Sequence, residues 1–218
     1  MRERILEKAQ GLFFRYGIKS VSMDDIAREL GISKKTIYQH FIDKDAIVYA
    51  GVEEHFICER RDSERMQTEA PDPIAEVVMT SEMMRQMMVD MNPAMIFDLK
   101  KYYPRAWDSF TAFKNDFILN IIRQNLLKGI EMGLYRADLN VEVMAKLRNE
   151  EIELGFNPQI FPTNQFNPLD IQLALLDHFI RGVVTQQGLN LYEDYLHKKL
   201  SLPVFAGSFV NPLNLNRD

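Results

Sequence analysis

Residues 22–44 leave this chain little freedom in how its amino-terminal part can fold. They read Ser-Met-Asp-Asp-Ile-Ala-Arg-Glu-Leu-Gly-Ile-Ser-Lys-Lys-Thr-Ile-Tyr-Gln-His-Phe-Ile-Asp-Lys. Ser22 can accept from the orphan N–H groups that open a helix, and Asp25 stands where a capping box requires an acid. Ile26, Ala27 and Leu30 fall on one face of that helix. Gly31 stops it, because glycine enters the left-handed conformation without a Cβ clash. Ser33 caps a second helix whose inward side is Ile37 and Phe41. Its outward side carries Lys34, Lys35, Thr36, Tyr38, Gln39 and His40, groups of the kind that meet phosphates and base edges. Upstream, Ile5, Leu6, Ala9, Leu12, Phe13 and Tyr16 recur at helical spacing until Gly17. The spacing predicts a first helix over about sixteen residues, covering the apolar backs of the other two. Two short helices joined by a glycine turn, the second with a polar face, form a helix-turn-helix layout.

Over residues 5–47 the chain resembles the DNA-binding domain of the tetracycline-repressor (TetR) family of bacterial transcription regulators. The resemblance rests on Ala9, Leu12, Phe13, Gly17, Ser22, Ile26, Ala27, Gly31, Ile32, Ser33, Thr36, Ile37, Tyr38, Phe41 and Lys44. Its specific part is Gly-Ile-Ser-Lys-Lys-Thr-Ile-Tyr-Gln-His-Phe, continued as Tyr-x-x-Phe-x-x-Lys. The resemblance implies an all-α fold. A three-helix DNA-binding domain over residues 1–47 would precede a helical effector-binding and dimerisation domain over 48–218. It also implies DNA contacts from Ser22, Ser33, Lys34, Lys35, Thr36, Tyr38, Gln39, His40 and Lys44. Lys35 would reach guanine, the Thr36 methyl would touch a thymine methyl, and Gln39 would pair with adenine. Tyr38, His40, Lys44 and the Ser22 hydroxyl would hold phosphates. The basic arm that many relatives carry before the first helix reduces here to Arg2 and Arg4.

Charge agrees with that division. The net charge of −5 argues against a generally basic nucleic-acid binder. Residues 1–50, however, carry nine Lys/Arg against seven Asp/Glu, and the remainder carries seventeen against twenty-four. The small basic excess lies where phosphate contact needs it. No apolar run is long enough for a transmembrane helix, and a single cysteine, Cys58, forbids an intrachain disulfide. A cytoplasmic protein without membrane attachment is expected.

The rest of the sequence reads as helix. Asp43 is placed to cap a long helix reaching Met66 or Thr68, which Pro71 and Pro73 break. Further helices are expected from Pro73 to about Asp90, over 94–102, from Pro104 to about Met132, and from the Asn140 cap to Leu154. A loop over 155–167 separates these from two more, over 169–187 and 189–200; the tail from Leu202 looks irregular. The 169–187 helix is apolar on two sides, which requires two-sided burial. In the family, the last two helices of each subunit form a four-helix dimer bundle. By that resemblance Leu169, Leu173, Leu176, Ile180, Val183, Val184, Tyr192, Tyr195 and Leu196 are homodimer-interface candidates. A two-fold dimer would present two recognition helices to a palindromic operator.

Methionines crowd residues 79–95, and methionine suits pockets for varied apolar ligands. Met83, Met87, Tyr103, Trp107, Phe110 and Phe113 are therefore candidates for an effector pocket. No cofactor, metal site or catalytic residue is expected. His55 and Cys58 alone make too small a ligand set, no Glu-x-x-His pair matches a di-iron bundle, and there is no phosphate loop or nucleophile elbow. The expected function is a ligand-responsive repressor, bound to operator DNA as a dimer and released by a small apolar or aromatic effector. The alternative is a helical ligand-binding or protein-interaction module whose helix-turn-helix no longer meets DNA.

Overall fold

The computed structural model describes residues 1–88 and 91–198. These are helical throughout apart from turns and one isolated antiparallel bridge, Tyr135 to Val184. They divide into two compact units: residues 1–59 with 91–112, and residues 60–88 with 113–198. The expected boundary at 47 therefore differs from the grouping of contacts. Residues 48–59 and the segment 91–112 join the helix-turn-helix in the first unit.

In the first unit, α1 (Arg2–Tyr16) ends at Gly17, whose φ of 83° lies in the region glycine favours. Next come α2 (Met23–Leu30), α3 (Lys34–Tyr38) and the start of α4 (Lys44–Glu69). Gly31, at φ 65°, supplies the tight turn between α2 and α3. The Asp43 carboxylate accepts from the Ala46 N–H at 2.8 Å and opens α4, as the sequence predicts. Ile5, Ala9, Phe13, Ile26, Ile37, Phe41 and Ile47 form the core on which the three short helices close. The same core takes in Leu99 of α6 (Ala94–Tyr102) and Ala106 of α7 (Pro104–Phe113).

The second unit holds the end of α4, then α5 (Pro73–Met88), α8 (Leu119–Glu131), α9 (Val141–Leu154), α10 (Pro168–Val183) and α11 (Gln186–His197). Asp72 caps α5 by accepting from the N–H groups of Ile74 and Ala75, each at 2.9 Å, and its other oxygen accepts from the Tyr195 hydroxyl. Leu126, Tyr135, Ala145, Phe179, Ile180 and Val183 make the main core. A smaller cluster gathers Met66, Ala70, Ala75 and Met79.

Three elements differ from expectation. The helix expected over 104–132 is interrupted by a wider π-helical turn at Lys114–Ile118. A π turn inserts one residue and shifts the phase of all that follows. The sequence carries that shift: Phe110, Phe113, Phe117 and Ile121 are followed by Ile118, Ile122 and Leu126, the same stripe moved by one. The turn buries Lys114, whose ammonium lies 3.3 Å from both Glu150 and Glu153 on α9. Secondly, α10 stops at Val183 and not near Gln187. Val184 is extended, and the Thr185 hydroxyl caps α11 by accepting from the Gly188 N–H. Thirdly, α3 is only five residues long. The loop 155–167 is a series of hydrogen-bonded turns, with Phe161 and Phe166 edge to face at 5.6 Å. The expected irregular tail from Leu202 lies outside the described residues.

Candidate nucleic-acid interface

The recognition segment is built by its caps. At α2, the Asp25 N–H donates to the Ser22 hydroxyl oxygen, while the Ser22 N–H and O–H both donate to the Asp25 carboxylate. At α3, the Ser33 hydroxyl accepts from the Thr36 N–H at 3.1 Å and pairs with the Thr36 hydroxyl at 3.0 Å. Ile37 is fully buried and anchors α3 to the core. That leaves the opposite side, Lys34, Lys35, Tyr38, Gln39 and His40, exposed as one polar surface.

These side chains are not equivalent. Lys34 is paired with Asp24 at 3.0 Å, so part of its charge is already answered. Among the described residues the Lys35 ammonium has no ion-pair or hydrogen-bond partner and stands free at the first turn of α3. Tyr38 is half exposed. Two residues given phosphate roles by resemblance are committed elsewhere. The Ser22 hydroxyl proton goes to Asp25, so it has no donor left for a phosphate. The Lys44 ammonium turns inward, donates to the Ile18 carbonyl, and lies over the rings of Phe13 and Tyr103. Burial holds it below its usual pKa, against the opposing pull of Asp98 and Asp25. Arg2 lies within α1, its guanidinium 4.9 Å from the Phe41 ring centroid.

The effector candidates are divided between the two units. Met83 packs beside Met66 and Met79 in the second unit, where Met87 also lies. Tyr103 and Trp107 pack against the core of the first unit, and Trp107 stacks near Phe110 at 5.0 Å. Phe113 belongs to the second unit, 5.1 Å from Phe117 and beneath Arg60. A hollow of about 640 Å³ opens in the first unit beside Phe41, Ala46, Tyr49 and Ile57, and none of the six lines it. Of the interface candidates, Leu176, Ile180, Val183, Val184 and Tyr192 are buried in the core of their own unit. A side chain already covered within one subunit has no area left to offer a second. Leu169, Leu173, Tyr195 and Leu196 keep exposed area.

Comparison with known proteins agrees with this geometry. Residues 5–50 match the family model described as bacterial regulatory proteins, tetR family. The uncharacterized HTH-type transcriptional regulator YvaF of Bacillus subtilis (strain 168) is 26% identical over 190 residues, covering 86% of this chain and 97% of that protein. A TetR-family transcriptional regulator from Agrobacterium tumefaciens has the same fold, with a TM-score of 0.68 at 15% identity over 84% of this chain and 97% of that one. The regulator FadR of Bacillus subtilis, solved in complex with stearoyl-CoA, gives 0.58 at 17% identity over 84% and 99%.

Proposed function

We propose that this chain, whose residues 5–50 match the tetR family model, is a transcriptional regulator of that family: a ligand-responsive repressor that grips a palindromic operator as a homodimer. The observation that carries this reading is the exposed row Lys35, Tyr38, Gln39 and His40, held rigidly by the Ser33 cap and the buried Ile37. Lys35 and Gln39 supply base-edge chemistry, a cation for guanine and an amide for adenine. Tyr38 and His40 supply phosphate contacts from the same surface.

Dimerisation is assigned to the outer side of α10 with the end of α11. Leu169, Leu173, Tyr195 and Leu196 flank Ala174, His178 and Gly182, which are exposed at four-residue intervals, and the small Ala174 and Gly182 let a second helix approach closely. The effector is assigned to the second unit and to an apolar or aromatic class. The stearoyl-CoA bound by FadR is a precedent for such a ligand in this fold. By linkage, an effector that prefers the form with ill-spaced recognition helices weakens DNA binding by the factor by which DNA weakens effector binding, typically about 5–150-fold.

The experiment is a mobility shift with DNA from the chain's own upstream region at two salt concentrations. A discrete complex is expected at the lower salt. Lys35→Ala should weaken it at least about tenfold, the loss expected for one bidentate base contact of about 1–3 kcal/mol. If wild type retains no fragment selectively, the helix-turn-helix is vestigial and the regulator reading fails.

A further inference from the structure

We infer that Lys19, Lys101 and the Tyr102 hydroxyl form a second phosphate-binding site for duplex DNA, outside the helix-turn-helix. This rests on the DNA-binding reading above and adds a surface that reading does not use. Lys19 lies in the turn between α1 and α2, three residues before the Ser22 cap. In a helix-turn-helix the first of the two helices crosses the phosphate backbone, so the chain entering α2 lies on the backbone side. The segment 91–102 is docked onto this turn. The buried Asp98 carboxylate accepts from the Lys19 N–H at 2.8 Å, and the Asn92 N–H donates to the Phe14 carbonyl at 2.8 Å.

That docking brings two ammonium groups to one ring. Lys19 Nζ donates to the Tyr102 oxygen at 3.1 Å and lies 4.8 Å from its ring centroid. Lys101 Nζ lies 5.3 Å from the same centroid and 5.2 Å from that of Phe97. Among the described residues neither ammonium is ion-paired with a carboxylate. The nearby Asp98 is buried, with Oδ2 taken by the Lys19 backbone. A phosphate seated beside this ring gains from both cations and answers them with the full negative charge that the ring lacks. The Tyr102 hydroxyl accepts from Lys19 and keeps its own proton to donate. Its pKa is held below the usual phenol value, chiefly by that hydrogen bond and then by Lys101.

Bulk charge makes such local grouping necessary. Residues 1–59 and 91–112 together carry twelve Lys/Arg and twelve Asp/Glu. A neutral unit exerts no long-range pull on DNA, so its affinity must come from cations grouped at contact points.

The test is the salt dependence of operator binding by the full chain, with wild type, Lys19→Gln, Lys101→Gln and the double variant. Both side chains are exposed, and the Lys19 backbone bond to Asp98 survives substitution. Losing the bridged phosphate should reduce the slope of log K against log salt by about 0.9 per subunit, hence by about 1.8 in a dimer for the double variant, with a smaller reduction for each single variant. Affinity should fall about fivefold per contact near 0.15 M salt. The operator-to-scrambled ratio should stay unchanged, since phosphates carry no sequence. An unchanged slope in the double variant, while Lys35→Ala still weakens the same complex, overturns the second site. Loss of selectivity along with the slope also overturns it, because it would mean a disturbed recognition helix. If wild type and Lys35→Ala bind every fragment alike, it is the regulator reading that has failed.

Discussion

Lys44 shows how one side chain can be given one role by resemblance and another by its surroundings. A family motif places it on the phosphates, yet its ammonium is spent on the Ile18 carbonyl and on two aromatic rings. That contact ties the start of α4 to the turn before α2. Lys44→Met keeps the apolar stem and removes the donor. Losing a charged hydrogen bond of about 1.5–3 kcal/mol should lower the thermal midpoint by roughly 5 °C. The salt slope of operator binding should hold, where a phosphate contact would have cost about 0.9 per subunit. A reduced slope with an unchanged midpoint would return Lys44 to the DNA. Lys35 is the opposite case, a cation at the first turn of α3 with nothing but the ligand to answer it.

Whole elements are positioned in the second unit by a few close approaches. Gly129 lies where α8 passes over the Tyr135 ring, and a Cβ there would sit 2.1 Å from a ring carbon. Tyr135 cannot retreat. It is 1% exposed, and its hydroxyl donates to the Asn125 side-chain oxygen at 2.9 Å. Gly129→Ala should therefore overpack this contact by about 1–3 kcal/mol and lower the melting midpoint by roughly 5 °C in a calorimeter scan. The π turn at Lys114–Ile118 belongs to this scale too. Its one-residue slip is written in the phenylalanine and isoleucine spacing, but that pattern also fits a helix buried on two sides. Only the packing of Lys114 against α9 separates the two.

At the scale of the molecule, assembly and pH response can each be read from surfaces that are covered or left open. Ala174→Arg places a long cation on the exposed side of α10 without touching the buried core. Sedimentation should then show monomers of unchanged helicity; persistent dimers would move the interface elsewhere. Glu76 is buried, and that burial raises its pKa above the ordinary carboxylate value, against the hydrogen bond from Asn125 and the charge of Lys128. The folded chain thus holds this proton more tightly than the unfolded chain. Stability should fall as pH climbs from about 4.5 through the raised value. Glu76→Gln should flatten that part of the stability–pH curve and raise the midpoint at pH 7. A variant as pH-sensitive as wild type would place the titration on another group.

Sequence alone determined the helix-turn-helix, because its signals are local. A serine cap, a capping-box acid, a left-handed glycine and apolar residues at helical spacing act within one or two turns of the chain. The Asp43 and Asn140 caps and the Pro73 break were legible for the same reason. Only the three-dimensional structure decided which polar side chains stay free for a ligand and which are taken by partners within the chain. Lys44 and Ser22 were consumed, Lys35 stayed free, and Lys19 met Lys101 across more than eighty residues of chain. It likewise decided which sides of α10 are core and which are open. Apolar periodicity records that a residue is buried, but the partner that buries it is fixed by contacts far away in sequence.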